Sequence, residues 1–355
     1  MTETKYWPAA ERCTGLKEAA AALAEGGVVA FPTETVYGLG ADARNTSAVR
    51  RIFIAKGRPS DNPLIVHLAH AEHVHRIVGS VNEIESILMA AFWPGPLTLV
   101  LPVREGAVSP LVTAGLDTVA VRVPAHDLAR ELIDACGCPL AAPSANRSGR
   151  PSPTLADHVM EDLNGRIDGV LDGGPTGVGL ESTVVRVMEG RIHILRPGGV
   201  TSEQLREAAG GTAEIVITVN LPNSDAVAPE QETPRAPGMK YAHYAPKGDM
   251  LLVTGDFSGI AAAVQGKLAE AKQRHRRVAV LCCTEHAALY DADAVLEYGS
   301  RHSPEDAAHS LYSLLRECDE LDIDYIVAEG YPETGIGTAL MNRLRKAAGG
   351  NELTV

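Results

Sequence analysis

Four short stretches combine polar side chains with turn residues in ways that could bind a phosphorylated small molecule. PTETVYGLGADARN (32–45) carries the hydroxyls of Thr33, Thr35 and Tyr37, one glutamate and two glycines. It follows an apolar run and precedes a helical pattern, where α/β proteins often seat ligands; read blandly, it is a Thr/Gly turn. KGRPSDNP (56–63) sets Lys56 and Arg58 at the end of a helical pattern, with Ser60 and Asn62 just beyond. Two cations there either complement the negative end of a helix or converge on an anion. PLAAPSANRSGRPSPT (139–154) places Ser144, Asn146, Arg147, Ser148 and Ser152 after a strand pattern. That is either a phosphate cradle of hydroxyls and backbone N–H groups or a Pro/Ser surface turn. LDGGPTGVGLEST (171–183) ends in Ser182 and Thr183 and by itself implies only a tight turn.

Other chemistries lack their residues. HLAHAEHVH gathers His67, His70, His73 and His75, but no acidic or thiol set completes a metal site. It reads as one strand-end histidine, His67, and three surface histidines on a helix. The six cysteines form one C-x-C and one C-C pair, a spacing that fits neither a zinc framework nor a disulfide scaffold. No G-x-S-x-G elbow, H-E-x-x-H or Walker A loop occurs, so hydrolase, zincin and P-loop readings have no support.

The chain has 355 residues, 45% hydrophobic and 22% charged. That predicts two domains with real cores and excludes general disorder. A net charge of −13 disfavours stable nucleic-acid binding over the whole surface, though not a local basic pocket. The opening MTETKYWPAA lacks the basic and apolar regions of a secretory signal. No run approaches the roughly 18 apolar residues of a membrane span. The expectation is a cytoplasmic protein with reduced thiols and no membrane partner.

The elements that must position these loops are partly visible. LKEAAAALAEGG, TSAVRRIFIAKG and HDLARELIDACG read as helices stopped by glycine, the second opening on a Thr/Ser cap. VVAFP, PLIVHL, LTLVLP, TVAVRV and PLAAP read as strands, and TVVRVMEGRIHILRPGG as a hairpin about Glu-Gly. Together they predict an α/β domain on a mixed sheet over 1–215. Residues 216–248 are proline-rich, yet gather Tyr241, His243 and Tyr244 in GMKYAHYAP. Composition leaves a passive linker and a segment folding over a site equally open. In 249–355, DMLLVTG, RRVAVLCC, AVLEYG and DYIVAEG alternate with helical stretches, the order of a smaller parallel, Rossmann-like domain. No G-x-G-x-x-G follows its first strand, so a dinucleotide role is unsupported.

Read in series, PTETVYGLG, KGRP, NPLIVH, WPGPLTLVL, VAVRVP, APSAN, GLESTVV and LRPGG resemble the YrdC-like family. The family's KxR…SxN signature is intact as Lys56, Arg58, Ser144 and Asn146. PGMKYAHYAP and the α/β tail resemble the long, two-domain threonylcarbamoyl-AMP synthases. The resemblance implies a twisted α/β sheet forming a large open cavity with a positive lining. It also implies condensation of L-threonine, bicarbonate or CO2, and ATP to L-threonylcarbamoyl-AMP and pyrophosphate. Magnesium would ride on the ATP phosphates, with no dedicated protein metal site. Downstream tRNA threonylcarbamoyl-transferase proteins would carry the group to the adenosine next to the anticodon.

Matching positions imply ATP contacts from Lys56, Arg58, Asn62, Thr118, Ser144, Asn146, Ser152 and Arg196. They imply the threonine carboxylate on Arg122, its other polar groups near Thr35, His67 and Ser182, and the Ala142 backbone lining that pocket. Tyr241, His243 and Tyr244 would close over the site as a lid. Two rivals stand beside this reading. A carbamoyl-transfer enzyme on the same fold would carry an acylphosphatase-like module and paired C-x-x-C motifs, absent here. An RNA-binding module is disfavoured by the acidic charge and the 4% aromatic content.

Overall fold

The computed structural model describes residues 3–211, 213–218 and 244–355. They fall into two compact units. The second gathers 149–151, 178–180 and the described chain from Tyr244 to Val355, and the first holds the rest.

Eleven described strands build the first unit's sheet: β1 (Lys5–Trp7), β2 (Val29–Phe31), β3 (Gly38–Asp42), β4 (Ile65–His67), β5 (Leu97–Pro102), β6 (Thr118–Arg122), β7 (Leu140–Ala141), β8 (Gly169–Leu171), β9 (Thr183–Met188), β10 (Arg191–Arg196) and β11 (Ile215–Ile217). Their order is β1-β8-β2-β3-β7-β4-β6-β5-β9-β10-β11. The sheet is mixed: β4 pairs with β6 in parallel, whereas β5 pairs with β6 antiparallel.

Alternation along the strands decides what each face carries. Val29, Phe31, Leu140 and Leu171 turn one way, against Leu23 of the helix Arg12–Ala24 and Leu128, Leu132 and Ile133 of the helix Asp127–Cys136. Val66, Leu99, Leu101, Val119, Val121 and Val185 enter the main core. The alternate residues Ile65, Val100, Ala120 and Val184 form, with Leu195, a small separate apolar patch. His67, Thr98, Thr118 and Arg122 share the parity of that patch, as does Ser182 just before β9. The patch is therefore an apolar floor set among buried polar side chains.

Local sequence explains the termini that matter. The helix Thr46–Lys56 is capped by Asn45, whose side chain accepts from the Ser47 and Ala48 N–H groups. The expected Thr/Ser cap thus sits one residue too late, with Thr46 already helical. The helix ends at Gly57 in the left-handed region (φ 63°), and the Arg58 N–H returns to the Phe53 carbonyl. The hairpin turns at Glu189 and Gly190, both at positive φ.

Some elements differ from expectation. PTETVYGLGADARN contains β3 itself, because glycines at 38 and 40 make room for the Phe31 ring. PLAAP contributes only the two residues of β7. The helix expected at His70–His75 is a 3-10 turn, Ala71–Arg76.

In the second unit, β12 (Asp249–Thr254), β13 (Val278–Cys283), β14 (Ala294–Gly299), β15 (Tyr325–Glu329) and β16 (Glu352–Thr354) form an all-parallel sheet in the order β14-β13-β15-β12-β16. Leu251, Val253, Val278, Val280 and Val327 pack against Ile260, Val264 and Leu268 of the helix Phe257–Gln273. Burying each such aliphatic side chain contributes about 1.5–3 kcal/mol. β16 was not visible in the sequence, being short and polar.

Candidate active site

Lys56 is the last residue of its helix and 3% exposed. Its ammonium donates to the carbonyls of Ser144 (2.6 Å) and Asn146 (2.5 Å). The lysine therefore ties the Ser144–Asn146 loop to the helix end. Ser144 Oγ in turn donates to Asn146 Oδ1. Gly57 then reverses the chain, so Arg58 leaves in a different direction, its Nη2 near the carbonyls of Asn62 and Pro63 (3.4 and 3.3 Å). The Asn62 amide is fully buried, with neither its nitrogen nor its oxygen hydrogen-bonded. A buried amide without partners costs about 1–3 kcal/mol, which marks it as poised for a ligand or water.

Arg122 closes β6 and pairs in register with His67, which closes the neighbouring parallel strand β4. Both are nearly fully buried. Arg122 Nε donates to the Gly95 carbonyl (3.2 Å) and Nη1 to Thr35 Oγ1 (2.9 Å). Its Nη2 lies 2.6 Å from Glu34 Oε1. The angle there is poor, however, and Arg122 Nη2 and both Glu34 oxygens have no directed hydrogen bond. This is ion-pair contact without hydrogen-bond satisfaction. His126, whose Nδ1 is buried and unbonded, feels the Glu34 charge. Its pKa is lowered by burial, against the opposing pull of Glu34.

Burial, and secondly the Arg122 charge, push the His67 pKa down to about 3, so the ring is neutral. Its Nδ1 lies 3.2 Å from the Ile65 carbonyl. A carbonyl only accepts, so Nδ1 carries the proton and Nε2 is an acceptor.

A further set lies around β5, β9 and β10. Ser182 Oγ bonds Thr98 Oγ1 (2.7 Å), and Arg196 Nη2 reaches Ser182 O and Oγ at 2.9 and 3.2 Å. Ser152 Oγ donates to Glu181 Oε1 (2.7 Å). Ala142 is buried and donates its N–H to the Ile65 carbonyl. Thr118 shares a strand face with Arg122 but opens β6 where Arg122 closes it. At about 3.3 Å per residue that separates them by roughly 13 Å.

Tyr241 and His243 lie outside the described residues. Tyr244 is a core residue of the second unit, stacked on Tyr312 (5.2 Å) with the Arg343 guanidinium 5.5 Å from its ring. Glu34 and Thr98 escaped the sequence reading. Glu34 was counted only as a loop carboxylate, and Thr98 only as part of a strand, although its parity with Val100 was there to find.

A buried guanidinium and carboxylate beside a neutral imidazole, on one face of a mixed sheet, define a small-molecule site of the enzyme type. A family model described as "Telomere recombination" (Sua5_yciO_yrdC) matches residues 21–198, and one described as "Threonylcarbamoyl-AMP synthase, C-terminal domain" matches 200–349. The chain is 51% identical to the threonylcarbamoyl-AMP synthase of Bacillus subtilis over 335 residues, covering 94% of this chain and 93% of the relative. It is 46% identical to that of Pyrococcus abyssi, covering 94% of each. The crystal structure of P. abyssi Sua5 complexed with L-threonine superposes with a TM-score of 0.89 at 43% identity, covering 100% of this chain and 99% of that one. The chain belongs to the threonylcarbamoyl-AMP synthase family.

Proposed function

We propose that this protein condenses L-threonine, bicarbonate or CO2, and ATP into L-threonylcarbamoyl-AMP and pyrophosphate. The observation that carries the reading is the Arg122–Glu34 pair. Arg122 is buried and the Glu34 carboxylate oxygens are shielded from solvent, and Arg122 Nη2 and both of those oxygens lack a directed hydrogen bond. A free amino acid is a zwitterion, and it completes both: its carboxylate takes Arg122 Nη2, its ammonium takes Glu34. Thr35 fixes the guanidinium from behind, and His67 Nε2 accepts the substrate's hydroxyl.

Glu34 then receives a proton from the ammonium, leaving a neutral amine. The amine attacks CO2, giving a carbamate and losing a second proton to solvent. A carbamate oxygen attacks the α-phosphorus of ATP and pyrophosphate leaves. Lys56, Arg58 and Arg196 supply positive charge toward the phosphates, with Asn62, Thr118, Ser144, Asn146 and Ser152 as neutral partners. Positioning and charge neutralisation are the catalytic means, with no covalent enzyme intermediate.

Magnesium enters as part of the nucleotide. Among the described residues of the first unit, no three His, Cys, Asp or Glu side chains converge to hold an ion. The Ser144 and Asn146 side-chain oxygens are the neutral groups that would face it. Tyr241 and His243 are proposed to cover the site and exclude water from the labile carbamate. The product passes to tRNA threonylcarbamoyl-transferase proteins in the cytoplasm. The net charge of −13 and the absence of a described helix long and apolar enough to cross a membrane support hand-over in solution, without lasting tRNA or membrane binding by this chain.

The test is pyrophosphate release from Mg-ATP with and without threonine and bicarbonate, with the product identified by mass. Both co-substrates are expected to be required. Arg122→Ala should lower kcat/KM for threonine by about 100-fold or more, since it strips one partner from a buried charge pair. Glu34→Gln should lower kcat while leaving ATP binding intact. Release without threonine would instead indicate another carbamoylating enzyme on this fold. A folded, inactive protein that binds tRNA would indicate an RNA-binding role.

A further inference from the structure

The second unit holds a buried polar cluster that the reaction above does not use. Cys283 ends β13 and Glu329 ends β15, two neighbouring parallel strands. Ligands of doubly wound sheets bind outside such carboxyl ends. His286 follows Cys283 by one turn. The Cys283 Sγ, a ring nitrogen of His286 and a carboxylate oxygen of Glu329 all lie within 4.8 Å of one another. Cys283 and Glu329 are 0% exposed and His286 6%.

Glu329 accepts from His286 Nδ1 (2.6 Å), the Cys283 N–H (2.9 Å) and the Tyr290 hydroxyl. Among the described residues, no arginine or lysine is a hydrogen-bond or ion-pair partner of that carboxylate. Two further groups face the same region without partners: the buried hydroxyls of Tyr298 and Tyr331, whose rings meet edge to face at 5.8 Å. The local field is negative. Burial and the Glu329 charge push the Cys283 thiol up to about 12. Burial, then Cys283, Glu329 and Glu285, raise Tyr331, with Arg301 alone opposing.

We propose that Cys283, His286 and Glu329 form a binding site for a zinc-class divalent cation. Sulfur and nitrogen donors select such an ion over magnesium or calcium. The charges also match: a thiolate and a carboxylate neutralise a 2+ ion in a buried site. On binding, the thiol proton leaves to solvent and the Nδ1 proton moves to Nε2, freeing the Nδ1 lone pair. The fourth position goes to a water, for which the Tyr298 and Tyr331 hydroxyls are partners. Tetrahedral ligands at 2.0–2.1 Å from the ion stand about 3.3 Å apart. The His286 ring must therefore withdraw slightly from Glu329, sliding along the Phe257 ring on which it stacks at 4.1 Å.

The C-C pair was read from the sequence as outside any zinc framework. The donors come instead from a C-x-x-H spacing and a glutamate more than forty residues later, which no local motif joins.

The experiment strips the full chain with a chelator and titrates it with zinc and with cobalt(II). One ion per chain, with a sulfur-to-cobalt charge-transfer band, is expected. Cys283→Ser should weaken binding by more than about 100-fold, the upper end for loss of a mere supporting partner. A Cys136→Ser/Cys138→Ser double variant should bind as the wild type does. Absence of the band in folded wild-type protein, or its survival in Cys283→Ser, overturns the proposal. If Cys283→Ser does not fold, zinc-edge absorption on the wild type decides. One sulfur in the ligand set supports the site, and none, or the two of a Cys136–Cys138 pair, overturns it.

Discussion

At the residue scale, the candidate site depends on charges buried before any substrate arrives. His67 is the clearest case. Its folded pKa of about 3 lies below the 6.5 of an exposed histidine, so below pH 6.5 the unfolded chain takes a proton that the folded chain refuses. Stability is therefore fully present above pH 6.5 and lost as pH falls toward 3. Urea midpoints measured between pH 4 and 7 should fall with acidification, and His67→Gln should flatten that fall. Arg122 could be named from the sequence only through the family match at VAVRVP. Glu34 could not, because nothing in PTETVYG distinguishes a buried carboxylate from a solvated one. The Arg122–Glu34 pair also implies a filter. A hydroxy acid of threonine's shape would present a carboxylate to Arg122 but no ammonium to Glu34, and would be repelled.

At the element scale, helix ends aim the groups proposed to face the nucleotide. Gly57 has φ 63° and nothing within 4 Å of an added Cβ, so Gly57→Ala meets only backbone strain, about 1 kcal/mol. Asn45→Ala at the other end removes a cap worth about 1 kcal/mol. Denaturation should register both alike. ATP affinity should fall only for Gly57→Ala, since that residue sets the direction in which Arg58 leaves the helix. Long periodic helices and alternating strands were legible: Asp127–Cys136 and the four strands β12 to β15 sit where hydrophobic period and glycine stops put them. β3 was hidden because GLGAD has almost no side chains with which to announce a strand. β1 and β8, KYW and GVL, were hidden because neither sits in an apolar run as long as the VVAFP and PLIVHL that announced the equally short β2 and β4. The apolar floor Ile65–Val100–Ala120–Val184 could be read only after the register was known, since alternation tells which residues share a face but not which strands are neighbours.

At the scale of the whole molecule, two sheets hold two separate polar clusters, the mixed sheet the candidate substrate site and the parallel one the Cys283 cluster. The parallel sheet has one edge of consequence. β16 lies along β12, with Leu252 opposite Glu352, Val253 opposite Leu353 and Thr254 opposite Thr354, and the Val355 N–H closes on the Thr254 carbonyl. The strand beneath that cover is DMLLVT, buried over Met250–Val253. A chain stopped at Gly350 would keep its core but expose an apolar strand edge with unpaired backbone groups, a template for another copy. Sedimentation of such a shortened protein should show concentration-dependent association, while the full chain at the same concentrations does not. The strand Glu352–Thr354 thus acts as a guard against aggregation, a protective duty apart from any chemistry.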